Sequence, residues 1–148
     1  MKTVLLISLL LLSSSCFASQ VDKEMIFKPI SITINGIELH RGGQIILFVF
    51  AEEGFPKAHD KALKRFALTP EETEVTLDAW VPIHGKFALK VLHDENMDGQ
   101  VTKNWTGIVP KDGMGFSSGA KIRFGPPKFS DASIAYHHQL SPIITIQY

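Results

Sequence analysis

The chain has 148 residues, a formal net charge of zero and one cysteine. Neutrality speaks against nucleic acid, whose binders carry a basic footprint, and against electrostatic adhesion to anionic lipid. The lone cysteine, Cys16, lies near the N-terminus, so nothing after it can form a disulfide within the chain.

Lys2 is the only charged side chain before Asp22, and Val4 to Leu12 is apolar except for Ser8. Small and polar residues from Ser13 to Ser19 follow. This order predicts a secretory signal peptide over residues 1–18, cleaved after Ala18, and a periplasmic or secreted product. The apolar run is shorter than the roughly 20 residues of a membrane span, so no transmembrane segment is expected. Lipidation of Cys16 is the rival outcome, against which Ser13 stands where lipoprotein signals place Leu. About 130 residues would remain, enough for one domain that buries most of its surface.

Residues 19–29 form a polar lead-in to a domain spanning 30–148. Ile30, Ile32 and Ile34 alternate with polar residues, as in a half-buried strand, and the phase slips at Asn35-Gly36. His40 to Gly43 reads as a turn. Gln44 to Ala51 is almost wholly apolar, which predicts a central strand covered on both faces. Residues 52–68 break the alternation. Pro56 can open a helical turn near 56–66, with Ala58, Ala62 and Phe66 four apart and Lys57, Lys61, Lys64 and Arg65 solvated around them.

Val75 to Val81 and Phe87 to Val91 alternate again, separated by turn chemistry at Pro82 to Gly85. Glycines at 107, 113, 115 and 119 predict loop between Trp105 and Gly119. Further strands are expected at Ala120–Phe124, Ala132–Tyr136 and Ile144–Tyr148. About seven short strands argue an immunoglobulin- or prealbumin-like β-sandwich.

The segment most suggestive of chemistry is His93 to Asn104. Asp94, Asn96 and Asp98 place side-chain oxygens at alternate positions of a loop that Gly99 can turn sharply, and the Gln100 carbonyl adds another. Calcium prefers six to eight such oxygens. Glu95 and Asp112 are further candidate contributors, and His93 and Gly99 complete the loop. Trp105 occupies the position of the bidentate Glu and a strand precedes the loop, so it is not an EF-hand. The competing reading is a hairpin in which Asp and Asn cap backbone amides.

Six histidines show no zinc- or copper-type spacing, and His137 and His138 would point to opposite faces of a strand, so ordinary surface histidines are expected. Ser117-Ser118 lacks the nucleophile-elbow pattern. His93 beside an acidic neighbour is the one hydrolase arrangement to weigh. Asn104-Trp105-Thr106 is a glycosylation sequon, relevant only in a eukaryote. Trp80, Trp105, Phe116, Phe124 and Phe129 are expected to plug the sandwich rather than form a binding platform.

The run VTLDAWVPIHGKFALKVLHDEN from Val75 to Asn96 resembles a bacterial family of small exported proteins, domain of unknown function 2141. Glu53 to Pro56, Gly107-Ile108, Gly113 to Ser117, Phe124 to Phe129 and Asp131-Ala132 agree in order, so the resemblance spans about Ile30 to Tyr148. It implies a prealbumin-like sandwich with the His93–Gly99 loop as its hallmark, and it carries over no established activity. The chain departs from that pattern at Met97, where the family usually has Gly, and at Thr102, where Asp is common; it also has an extra residue near Val109. The expected function is an exported module binding a small molecule or protein, with its loop ordered by calcium. The alternative is a structural or partner-binding domain without metal.

Overall fold

The structure, a computed structural model, describes residues 24–103 and 111–148. The expected signal segment, Cys16, the sequon and Trp105 lie outside these residues.

β1 (Phe27–Asn35) places Ile30, Ile32 and Ile34 on one buried face. Gly36, at φ 75°, ends it, which accounts for the phase slip. β1 pairs antiparallel with β4 (Glu74–Pro82) and parallel with β8 (Ile143–Thr145), giving a three-stranded sheet. Its outer face mixes polar pairs, such as Ser31 donating to Asp78 across the strands, with the exposed Trp80 and Ile143.

The larger sheet runs β3 (Lys64–Leu68), β2 (Gln44–Phe50), β5 (Lys86–Asp94), β6 (Gly113–Phe116), all antiparallel neighbours, and β7 (Ile134–Ala135) pairs with the start of β5. β2 is central, as its unbroken apolar run requires. Ile45, Leu47 and Val49 join Phe87, Leu89 and Val91 in a core against the small sheet. Ile46, Phe48 and Phe50 point the other way, into a second apolar layer covered by irregular segments. Phe55 is the hub of that cover, edge-on to Phe50, Phe116 and Phe129 with ring centroids 5.8–6.0 Å apart. Burying side chains of this size stabilises by roughly 1.5–3 kcal/mol each. Among the described residues the fold is therefore an all-β sandwich of eight strands whose larger sheet is buried on both faces along β2 and β5.

Several local expectations need correction. Residues 64–66, expected within the helical turn near 56–66, belong to the edge strand β3, and the helical part is a short 3-10 turn at His59–Lys61. β6 lies in a stretch read as loop. Ala120–Phe124 is loop, not strand, and Phe129–Ala132 is a four-residue helix. His137 and His138 lie in a turn. Phe116 and Phe129 do plug the second layer, whereas Trp80 and Phe124 are exposed.

Candidate functional site

β5 delivers His93 and Asp94 to the end of the sandwich, both completely buried. By strand alternation His93 faces the small sheet and Asp94 the outer layer. The imidazole lies 2.6 Å from the Tyr148 hydroxyl through Nδ1 and 2.7 Å from the Gly42 carbonyl through Nε2. A carbonyl only accepts, so Nε2 carries the proton and Nδ1 accepts from the phenol. The same hydroxyl accepts the Glu38 N–H at 3.0 Å. His93 is thus a core residue rather than a surface histidine.

Asp94 is held by three donors. Its Oδ2 accepts the Gly99 N–H and the Gln44 side-chain amide, each at 2.8 Å, and its Oδ1 accepts the Asp98 N–H at 3.3 Å. Asp98 Oδ1 accepts the Gln100 N–H at 2.7 Å, and its Oδ2 accepts from Asn96 Nδ2 at 2.9 Å. Glu95 turns away from this group and accepts from Arg41, which also donates to Glu38 and lies over the Tyr148 ring. Asp112, also buried, accepts the Thr102 N–H at 2.6 Å and ties the far end of the loop to β6. Burial, and then the nearby Glu95 and Asp94, push its carboxyl above the usual range.

The structure therefore brings Asp94, Asn96, Asp98 and Gln100 into one tight turn. The side-chain oxygens of Asp94, Asn96 and Asp98 accept from N–H groups of the turn. As arranged, they fit amide capping better than an oxygen cage. Among the described residues, no three His, Asp or Glu side chains converge as ligands. Gly99 sits at φ 74°, where only glycine is unstrained, and Met97 adopts φ 60° with its side chain exposed. Val101 anchors the loop on the second apolar layer.

A second cluster meets this loop at Gly99. Lys90, on the outer face of β5, is 2% exposed and forms no ion pair with a described residue. Its ammonium donates to the Pro56 carbonyl at 2.9 Å and to His59 Nε2 at 2.7 Å. His59 in turn donates from Nδ1 to the Gly99 carbonyl at 3.0 Å and stacks on Phe48, centroids 4.2 Å apart. Burial without a counter-ion lowers the Lys90 pKa to about 8. Burial, and then the Lys90 charge, hold His59 below its ordinary value. Sequence reasoning passed over Lys90, although one lysine in the apolar run Phe87 to Leu92 was a readable signal.

Ser117 is wholly buried; its hydroxyl accepts the Leu89 N–H at 2.9 Å and donates to the Ala132 carbonyl at 2.6 Å. It extends the β5 ladder past the end of β6.

No curated protein and no solved structure matches the chain. The family model described as "Uncharacterized protein conserved in bacteria (DUF2141)" matches residues 32–143, which include the His93–Gly99 turn, and the chain belongs to that family.

Proposed function

We propose that the protein is an exported β-sandwich binding module whose 93–104 loop is held by its own hydrogen bonds, without an ion. The observation that carries this reading is the Asp94 carboxylate, whose oxygens are occupied by Gly99, Asp98 and Gln44 donors. Three of the roughly four lone-pair sites of this carboxylate are taken by N–H donors, which leaves little of it for a cation. A hydrolase using His93 is disfavoured for a similar reason, since both ring nitrogens are engaged inside the fold. The binding role is supported by the architecture, a rigid two-faced sheet that presents loops, and by exposed apolar side chains at Trp80, Met97 and Phe124.

The test is thermal stability in calcium and in chelator, with elemental analysis of the purified protein. The expected result is no shift and no bound metal. An ion bound only by the folded state would add about 2.7 kcal/mol at a hundredfold excess over Kd. The double variant Asp94→Asn/Asp98→Asn is expected to lose stability even in chelator. A calcium-dependent shift that this variant removes while keeping its fold would establish the ion instead. Export is tested by the intact mass of the processed product, expected to begin at Ser19. Lipid-modified Cys16 or a retained Met1 would count against that cleavage.

A further inference from the structure

The 119–128 loop differs from the others in its chemistry. It joins the Ser117–Gly119 turn to the Phe129–Ala132 helix and carries Lys121, Arg123 and Lys128 with no acidic residue between them. Phe124, at its tip, is 109% exposed, and Ile122 beside it is 37% exposed. The Arg123 N–H donates to the Gly125 carbonyl at 3.2 Å, closing a tight turn, and Pro126 and Pro127 stiffen the returning limb. Both bases are fixed: Ala120 and Phe129 pack on the second apolar layer, and the Ser117 hydroxyl holds the Ala132 carbonyl. Asp131 lines the concavity behind the loop, yet none of the three cations forms an ion pair with a described residue.

We propose that this loop is a membrane-surface finger, with Phe124 and Ile122 entering the acyl boundary of an anionic bilayer while Lys121, Arg123 and Lys128 meet lipid phosphates. The size of the apolar tip favours a bilayer over a protein. One phenylalanine buries roughly 150–250 Å², whereas a stable protein interface needs about 800 Å² on each side. A bilayer needs no matching surface, and a few inserted side chains with basic neighbours suffice for reversible binding. Overall neutrality speaks against adhesion of the molecule as a whole, but at physiological salt charges are screened beyond about 8 Å, so the three cations of this loop set the field at its own tip. The inference deepens the binding-module reading by naming its partner. Vesicle binding and the calcium test are read separately, so either can fail without the other.

The experiment is co-sedimentation of the full mature chain with vesicles of equimolar phosphatidylglycerol and phosphatidylcholine, and with pure phosphatidylcholine vesicles. Binding to the anionic vesicles only is expected. Phe124→Ala is expected to weaken it about tenfold or more, from the lost apolar burial. Lys121→Gln/Arg123→Gln/Lys128→Gln is expected to weaken it roughly a hundredfold, at about 1 kcal/mol per cation. These positions are exposed loop sites, and unchanged thermal stability of each variant verifies the fold. A Phe124→Trp variant should show blue-shifted emission on the anionic vesicles. Failure to bind them, equal binding to both vesicle types, or binding insensitive to Phe124 overturns the proposal. Competition by millimolar inorganic phosphate with no effect of Phe124→Ala would instead mark a free-anion site.

Discussion

The imidazole of His93 and the phenol of Tyr148 meet at 2.6 Å, joining the end of β5 to the last residue of the chain. Through this contact the 93–99 turn, the Gly42 carbonyl and the Glu38 amide share one network. Tyr148→Phe removes the donor to His93 and the acceptor for Glu38 while keeping the ring. It is expected to cost about 1–3 kcal/mol, because polar groups near the core lose their partner. Urea denaturation measures it, and a loss within error would show that water replaces the hydroxyl freely.

Lys90 supplies a pH signature. Its pKa falls from an unfolded value of 10.5 to about 8 in the fold. Between those values the unfolded chain binds the proton and the folded one does not, so stability rises with pH across that window. The increment is roughly 3 kcal/mol at most. Lys90→Met should abolish this alkaline rise, as followed by chemical denaturation across the same pH range. His59, whose folded pKa is also lowered, acts on the acid side in both proteins. Its contribution is present above about pH 6.5 and declines as pH falls below that value.

Met97 holds a left-handed backbone at φ 60° with an exposed side chain. Glycine adopts that conformation freely. Met97→Gly is expected to stabilise by roughly 0.5–1 kcal/mol, the relieved strain exceeding the added chain entropy. A thermal melt showing destabilisation would contradict it.

Asp112 is buried with its carboxyl pushed above the ordinary range, so its ionised form is disfavoured by the fold. That group favours folding at low pH and loses the advantage as pH rises through its folded pKa. Asp112→Asn retains an oxygen for the Thr102 amide and removes the charge. It should raise stability at neutral pH and leave it little changed in acid. Destabilisation at neutral pH only when calcium is present would instead identify Asp112 as an ion ligand.

The elements legible in the sequence were those whose side chains alternate against one core or run apolar through two. β1, β2, β4 and β5 are of this kind. β6 was hidden because glycines replace its inward side chains. A Cβ on Gly115 would lie 2.6 Å from Ile144 Cγ2, so close packing erased the hydrophobic period. β3 was masked by lysine and arginine on an edge strand, the residues that also read as a solvated helix. Ala120–Phe124 misled in the opposite sense: its alternation has no partner strand. At the site, the turn at 93–100 was readable from Asp, Asn and Gly spacing. The partners of His93 and Lys90 were not, because Tyr148 and His59 lie 55 and 31 residues away.

The parallel pairing of β8 with β1 brings residues from opposite ends of the domain side by side, with Thr33 opposite Ile143. A chain synthesised N-terminus first therefore carries β1 with one vacant edge until β8 has appeared. Loop closure over that span precedes any reward from the contacts, which makes the final closure a late step. The smaller sheet is thus completed by β8 only after β1 and β4 have been made.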